Sequence, residues 1–573
     1  MFQYALKTGD FSTHLRILFA QNVLRKALVM TCLNVLGCCL VACTPSSASA
    51  AVPETPTPQQ SMIKIEVLDA AGEPVENATV KIHGDKHTGE AKDGVYLLPE
   101  CDVGEKITAW APDYYIGEIE CSPGSKNYTV TLLKYENQDW IYYSWKSAHR
   151  DNGSDLGCRQ CHEEGSNPKY NGHPIYNEWV NDGHSQSATN PFFLSVYNGT
   201  KYDPMGSGYQ VADPGFKLDN PLLNGNCAAC HAPLAVTGEA VEVDINTISS
   251  LAKEGINCDF CHKIWDVHIS DETNLPYIDR PGLLSYEFAR PSTLNPEAQI
   301  LFGPLDDADH QGSIKLDLYN ESQYCAPCHY GVFWDTPIYN TYNEWLNSSY
   351  SDPKNGQTCQ DCHMLVEDRF YNHNMEIRKK ETDKDEDKDI DKLLKQAILL
   401  SVDANYNKKK DRIIVNVSVT NVGAGHKLPT GSPLRHLIML VEVNDTADPP
   451  VHLPQLAGDT IPEWGGVGNP ELGYYSGLPG TFFGYILMDK TNNNVPAISY
   501  WNPTEIILDT RIHPRDEIEK KYEFAAPEKG NANVTVDVIY RYAYKDFMDT
   551  KEWYDLRTMD IVIAEISQPV KVP

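Results

Sequence analysis

The chain has 573 residues and a formal net charge of −31, with 41% hydrophobic and 22% charged residues. This length excludes a single hydrophobic core and predicts about three or four domains, while the composition excludes global disorder. The acidic balance argues against a nucleic-acid partner, because a phosphate backbone would be repelled. A partner steered by charge should be cationic or locally basic, although acidity also serves solubility alone.

The N-terminus has the features of an export signal. Arg25 and Lys26 precede an apolar run at 27–42, which is as long as a signal-peptide core and short for a membrane span. LVAC then resembles a bacterial lipobox, in which Cys43 would be lipidated. An A-x-A pattern at 48–50 offers ordinary cleavage instead, and a retained helical anchor is a third alternative. We expect an exported protein of a Gram-negative bacterium, periplasmic or anchored as a lipoprotein at the outer membrane or cell surface.

Residues 62–134 predict a small all-β domain. MIKIEVLD and NATVKIHG alternate apolar and polar residues with period two, and a turn sequence separates them. Cys101 and Cys121 fall in this segment and form a disulfide candidate in an oxidising compartment. The pattern V-x-D-x-x-G-x-P-V-x-N-A-x-V, followed by G-x-Y-x-L-P, resembles the carboxypeptidase regulatory-like, transthyretin-type sandwich. The resemblance implies a role in display or docking.

Residues 136–378 change to short irregular segments that contain one motif five times. The motif C-x-x-C-H occurs as CRQCH, CAACH, CDFCH, CAPCH and CQDCH. A stretch of this length without long apolar runs needs another source of cohesion, such as disulfides, metals or a large buried cofactor.

The position of the histidine favours a haem. In c-type haem attachment, two thiols bond to the porphyrin from one short helical turn, and the next residue supplies an imidazole to the iron. Zinc knuckles and disulfides are the alternatives, but zinc does not require a histidine directly after the second cysteine, which occurs here in five repeats of five. We therefore predict five haem c groups. The attachment residues are Cys158, Cys161, Cys227, Cys230, Cys258, Cys261, Cys325, Cys328, Cys359 and Cys362.

Function depends on the sixth position of each iron, opposite the histidine of the motif. Two imidazoles give an iron that only exchanges electrons, whereas an open position binds substrate. The first ligands, which we call proximal, are predicted to be His162, His231, His262, His329 and His363.

Candidate distal ligands come from the remaining histidines. His149 and His184 each follow a tryptophan close to a repeat, and His268, His310 and His373 lie between or just after the later repeats. CRQCH is followed by PIYNEW, and CAPCH is followed at a similar distance by TYNEW. This echo indicates a duplication with one ligand position changed, because His184 stands five residues after the first tryptophan and Tyr350 five residues after the second.

Residues 396–573 predict a second β-sandwich, of immunoglobulin or fibronectin type, after a mixed-charge linker at 379–395. His426 lies here in the loop GAGHKLPTG, which is either an ordinary hairpin loop or a device that presents the imidazole to a haem across the domain interface. We favour the second interpretation because the neighbouring glycines permit close backbone approach to a flat ligand.

These motifs together resemble the multihaem (pentahaem) c-type cytochromes of the nitrifier tetrahaem cytochrome c superfamily. The resemblance is carried by WKSAH, EGINCDFCHKI, FGPLDDADHQ, SQYCAPCH, TYNEW, GQTCQDCHM and GAGHKLPTG, in that order. It implies that His149, His184, His310 and His426 are distal ligands and that His268 and His373 compete for the fifth iron.

The expected fold class is multidomain: a small all-β sandwich, an irregular, mostly helix-and-loop multihaem domain, and a C-terminal immunoglobulin/fibronectin-like β-sandwich.

We expect a non-enzymatic electron carrier that exchanges electrons with other redox proteins. The alternative is a reductase of nitrogen or sulfur oxyanions with one open haem. A homo-oligomer or stacked assembly stays an open alternative. The predicted boundaries are 1–43 (signal peptide, lipoprotein type), 44–61 (linker), 62–134, 136–378, 379–395 and 396–573.

Overall fold

The computed structural model describes residues 61–573 apart from several short ranges. The ranges left out are 86–87, 93–94, 150–156, 166–173, 204–209, 293–298, 309, 311, 368–369, 376–391 and 554–559. The predicted signal peptide, Cys43 and most of the charged linker therefore lie outside the described residues. No helix within the described ranges combines the length and apolar character that a membrane crossing needs.

The N-terminal part consists of two sheets around one core. Their strand orders are β3-β4-β1-β7 and β2-β5-β6. In β1, Ile63, Ile65 and Val67 are buried and alternate with more exposed residues, as a half-buried strand requires. Cys101 and Cys121 are joined in a disulfide, with Cα atoms 6.2 Å apart. The strands are β1 Met62–Asp69, β2 Thr79–Ile82, β3 Glu90–Lys92, β4 Val95–Pro99, β5 Lys106–Trp110, β6 Gly117–Glu120 and β7 Asn127–Leu132.

The middle part has short helices and two-stranded sheets, which fits its lack of long apolar runs. Its helices are α1 Arg159–His162, α2 Ile175–Val180, α3 Pro191–Asn198, α4 Phe216–Asp219, α5 Ala228–His231, α6 Cys258–Cys261, α7 Ala326–His329, α8 Thr341–Leu346 and α9 Cys359–His363. Its strands are β8 Ile264–Val267, β9 Tyr286–Phe288, β10 Leu301–Gly303, β11 Ser313–Lys315, β12 Gly331–Phe333, β13 Thr336–Tyr339, β14 Val366–Glu367 and β15 Phe370–Tyr371. Its 3₁₀ turns include Ile245–Thr247, Ala252–Glu254, Gly282–Ser285, Asp317–Asn320, Ser322–Cys325 and Ser349–Ser351.

The C-terminal part is built on long antiparallel strands in two sheets, β16-β17-β22-β19 and β21-β20-β18-β23-β24. Val415, Val417 and Val419 of β17 are buried and face a core shared with β18 and β23. The elements are α10 Lys392–Ala397, β16 Ile398–Asn407, β17 Arg412–Asn421, β18 His436–Asp445, β19 Gln455–Ala457, β20 Gly480–Asp489, β21 Thr504–Asp509, β22 Glu517–Ala525, β23 Ala532–Arg541, α11 Lys545–Thr550 and β24 Asp560–Val570.

Both sheet-rich parts contact the middle part. The backbone N–H of Ile116 donates to the carbonyl oxygen of Ser313 at 3.0 Å, three residues after His310. At the other end, the buried ammonium group of Lys551 donates to the carbonyl oxygen of Ser195 in α3 at 3.0 Å and to that of Pro214 at 2.6 Å. The predicted mixture of β-sheets with a helix-and-loop middle is confirmed at this level, and the two sandwich types stay predictions.

Candidate functional site

Each C-x-x-C-H motif lies on a short helical turn, which we number as sites 1 to 5 in chain order. The histidines of the sites are His162 (site 1), His231 (site 2), His262 (site 3), His329 (site 4) and His363 (site 5). Because a helix has about 3.6 residues per turn, the two cysteines of a motif project from one face. Side-chain caps begin two of these turns: Asn257 accepts from Phe260 N at 3.0 Å, and Thr358 forms a capping box with Asp361.

The five sites open into one cavity of ≈ 2510 Å³. Pockets for single drug-sized ligands measure about 300–1,000 Å³, so this cavity has room for several large groups. Nine of the ten motif cysteines line it. The nine histidines that line it are His162, His184, His231, His262, His310, His329, His363, His373 and His426.

Four of the five proximal imidazoles face a second imidazole across the cavity. The pairs, with ring-centroid distances, are His162–His310 at 5.3 Å, His329–His184 at 6.1 Å, His262–His373 at 6.4 Å and His363–His426 at 6.5 Å. In the first pair the two Nε2 atoms are 3.3 Å apart. One metal ion between two imidazoles, with bonds of about 2.0 Å, requires about 4 Å between the two bonding nitrogens and therefore about 6 Å between the ring centroids. Each pair therefore has roughly the spacing of two ligands on one iron.

Burial favours the neutral form of six of these eight imidazoles by lowering their pKa. It lowers the pKa of His329 to about 3, with the imidazole of His184 contributing, and the pKa of His162 and His262 to about 4. It also lowers the pKa of His373 and His426. A neutral imidazole is the form that binds a metal, so these histidines are in the metal-binding form at neutral pH.

The ring nitrogen that points away from the cavity has an acceptor in most of these residues. Nδ1 of His262 lies 2.6 Å from the carbonyl oxygen of Phe302, and Nδ1 of His231 lies 3.0 Å from that of Ser187. On the distal side, Nδ1 of His373 lies 2.7 Å from the carbonyl oxygen of Tyr371. Such a bond fixes the proton on Nδ1 and leaves the lone pair of Nε2 for a metal, as in other metal-binding histidines.

His149 and His268 do not line the cavity. Nδ1 of His149 lies 2.6 Å from the hydroxyl of Tyr176, and its ring packs on Trp179. Nε2 of His268 lies 2.9 Å from a carboxylate oxygen of Glu287. Of the two histidines predicted to compete for the fifth iron, the structure brings His373 opposite His262 of site 3, whereas the described contacts of His149 and His268 are with Tyr176, Trp179 and Glu287. The assignment of distal ligands stays a prediction.

Site 2 differs from the other four. Within the described residues, no second imidazole faces His231. Its ring instead stacks on Phe193 of α3, with centroids 4.0 Å apart and planes 1° apart. The sequence signal for this difference is weak, because CAACH looks like the other repeats and a phenylalanine in an apolar helix predicts core packing.

The motif cysteines show which sites are neighbours. The thiols of Cys158 and Cys258 lie close enough to shift each other's pKa, and so do those of Cys230 and Cys328 and those of Cys325 and Cys359. Burial, together with the charge of the nearby Cys328, raises the pKa of Cys261 to about 12. Site 1 therefore adjoins site 3, site 3 lies near site 4, and site 4 contacts both site 2 and site 5.

The donor set fits covalently bound haem. Each motif offers two thiols on one helical face and a neutral imidazole beside them, and four sites add a second imidazole. The described residues contain no group of three or more His, Cys, Asp or Glu side chains arranged to hold a bare metal ion.

Comparison with known proteins gives a likeness in fold. No family model matches the chain, and no curated protein matches it in sequence. Among solved structures, it is similar to a penta-heme cytochrome c552 from Thermochromatium tepidum, with a TM-score of 0.50 and 20% sequence identity over 72% of this chain and 97% of that chain. At this identity the likeness concerns the fold. The fold of this chain is therefore one that a penta-heme cytochrome also has.

Proposed function

We propose that the protein is a multihaem c-type cytochrome that transfers electrons through five covalently bound haems. The observation that carries this proposal is the set of four facing imidazole pairs, each of which includes the histidine of a C-x-x-C-H motif. An iron held by two imidazoles has no open position, so it exchanges electrons and does not bind a substrate. The shared fold with a penta-heme cytochrome supports the same conclusion.

The contacts between motif cysteines suggest an order for the electron path. Haem c is bonded to its cysteines through the edge of the porphyrin, so contacts between thiols of two motifs bring two porphyrin edges together. The order that follows is site 1, site 3, site 4 and site 5, with site 2 as a branch on site 4.

Intact-mass measurement tests the haem count. Protein matured in a host with haem-ligation machinery should carry the added mass of five haems. Low-temperature EPR of the oxidised protein should then count four low-spin irons. Bare thiols or bound zinc in place of haem would contradict the proposal.

A second role, chemistry on a small ligand at site 2, is favoured by one observation: His231 faces no second imidazole within the described residues. An iron there could bind a substrate such as a nitrogen or sulfur oxyanion. Carbon monoxide added to the reduced protein should then shift the spectrum of about one haem in five. A spectrum that does not change would exclude this role and leave the carrier function.

We also propose an exported location and a membrane attachment through Cys43. The disulfide between Cys101 and Cys121 supports an oxidising compartment, where such bonds persist. The net charge of −31 supports a redox partner with a basic surface. Replacing Cys43 by Ser should release the protein from the membrane fraction. Electron transfer to a basic partner should slow as salt concentration rises, because salt screens the attraction between the proteins.

A further inference from the structure

Helices α2 and α8 carry the same sequence, Tyr-Asn-Glu-Trp, and their tryptophans make equivalent contacts. The indole Nε1 of Trp179 donates to the carbonyl oxygen of Ile256 at 2.9 Å, and that of Trp345 donates to the carbonyl oxygen of Gln357 at 2.8 Å. Each acceptor lies two residues before the first cysteine of a motif, Cys258 of site 3 or Cys359 of site 5. In both copies the tryptophan therefore holds the segment that leads into the anchoring turn.

The backbone around the tryptophans repeats as well. The carbonyl oxygen of His184 accepts from Ile256 N at 3.0 Å, and that of Tyr350 accepts from Gln357 N at 2.9 Å. A Cβ atom on Gly255 would lie 2.5 Å from the His184 oxygen, and one on Gly356 would lie 2.2 Å from the Tyr350 oxygen. Glycine is needed at this close approach in both copies. Sites 3 and 5 are thus held by equivalent units.

The glutamate beside each tryptophan reaches the opposite side of the same site. A carboxylate oxygen of Glu178 accepts from the backbone N–H of His373 at 2.9 Å, and His373 faces His262 of site 3. A carboxylate oxygen of Glu344 accepts from the hydroxyl of Thr430 at 2.7 Å, in the loop whose His426 faces site 5.

Glu344 is further fixed by a buried ion pair. Its second carboxylate oxygen accepts from Arg511 at 2.6 Å, and the side chains of Glu344 and Arg511 are only 1% and 6% exposed. A charge-assisted bond in a buried place is stronger than a neutral one and holds its partners in one geometry. The distal loop of site 5 is therefore attached to α8 by a rigid contact.

We infer that Glu178 and Glu344 are positioning residues, each of which sets the distal imidazole of one site while the adjacent tryptophan sets the anchoring segment of the same site. One helical turn thus fixes both sides of a site. The inference rests on the proposed function, because it concerns ligands to the iron of a bound haem. It extends that function by naming residues that set the ligation and potential of sites 3 and 5.

The test compares Glu178→Ala with Glu178→Gln in the full-length holoprotein. Alanine removes the acceptor for the N–H of His373, whereas glutamine keeps an acceptor oxygen at the same place. Haem count by mass, the number of low-spin irons by EPR and the midpoint potentials are measured for each. Glu287→Ala is the matched control, because its carboxylate contacts His268, which does not line the cavity.

We expect Glu178→Ala to keep five haems while the low-spin count falls from four irons to three or the potential of one haem shifts. Glu178→Gln and Glu287→Ala should match the wild type. A Glu178→Ala protein with unchanged ligation and potentials would overturn the inference. Thr430→Val removes the hydroxyl that donates to Glu344 with little change of side-chain shape, and so tests the role of Glu344 at site 5. Unchanged ligation and potential at site 5 in this variant would also contradict the inference. A wild-type protein without haem would instead contradict the proposed function.

Discussion

The imidazole of His363 lies opposite that of His426, with ring centroids 6.5 Å apart and planes 22° apart. One belongs to a C-x-x-C-H turn, and the other to a loop between two strands of the C-terminal sheets. Nδ1 of His426 lies 3.0 Å from the carbonyl oxygen of Lys427, so Nε2 is left for the cavity. The C-terminal part therefore supplies one side of site 5.

Removing this imidazole should change the spin state of one iron. We expect His426→Ala to keep five covalent haems and to convert one of four low-spin irons to high spin, because the iron of site 5 loses its second strong ligand. Low-temperature EPR measures the two populations. The control is His452→Ala, at an exposed position in the same part of the chain. Four low-spin irons in His426→Ala would contradict the pairing.

The sequence predicts local features of the fold well and distant pairings poorly. The alternation in MIKIEVLD locates β1 because a strand that is buried on one face shows its period directly in the sequence. The parallel pairing of β1 with β7 has no such signal, because it depends on residues about 60 positions apart and on the packing of both sheets. For the same reason, the sequence indicates a second β-rich part after the linker but not its strand order.

In the candidate site, too, the sequence predicts the local motifs but not the contacts between distant residues. The anchoring turns are evident because cysteines and histidine stand in one short motif. His426 could be singled out because glycines flank it, whereas His268 and His373 could not be ranked by position alone. Glu287 holds His268, and Glu178 holds the backbone of His373. The contact of Glu178 with His373 joins segments 195 residues apart, so the sequence alone does not reveal it.

This distinction gives a second prediction. His373→Ala should convert the iron of site 3 to high spin and shift one midpoint potential, because His373 faces His262 at 6.4 Å. His268→Ala serves as the control and should leave spin states and potentials as in the wild type, since its imidazole is engaged by a carboxylate outside the cavity. The reverse result, in which only His268→Ala changes the spin state and the midpoint potential, would show that the ligand of site 3 is His268.

The disulfide in the N-terminal sheets should stabilise that part alone. Cys101 and Cys121 are 20 residues apart, and closing a loop of this length stabilises a fold by roughly 3 kcal/mol. A Cys101→Ser/Cys121→Ser variant should unfold its N-terminal part at a lower denaturant concentration than the wild type. Limited proteolysis within residues 62–134, at increasing denaturant concentration, measures this unfolding. Haem content and spin states should stay as in the wild type. Equal protease resistance of variant and wild type would contradict a stabilising role.

Asp537 should make the stability of the C-terminal sheets depend on pH. It lies on β23 opposite Glu565 of β24, and burial together with the charges of Glu565 and Glu442 raises its pKa from 3.8 to about 6. The folded state therefore binds the proton more tightly than the unfolded chain. This contribution is complete below about pH 4 and is lost as the pH rises through about 6. Because the group is about half exposed, screening reduces the loss to about 1 kcal/mol.

Asp537→Asn should remove this dependence, because an amide stays neutral at every pH. We expect the variant and the wild type to be equally stable near about pH 4 and the variant to be more stable by about 1 kcal/mol near about pH 8. Chemical unfolding followed by circular dichroism at both pH values gives the two differences. Glu528→Gln, at an exposed loop position, removes the same charge elsewhere and should change neither value. A variant that is less stable than the wild type at the higher pH would show that the carboxylate of Asp537 is stabilising in its charged form.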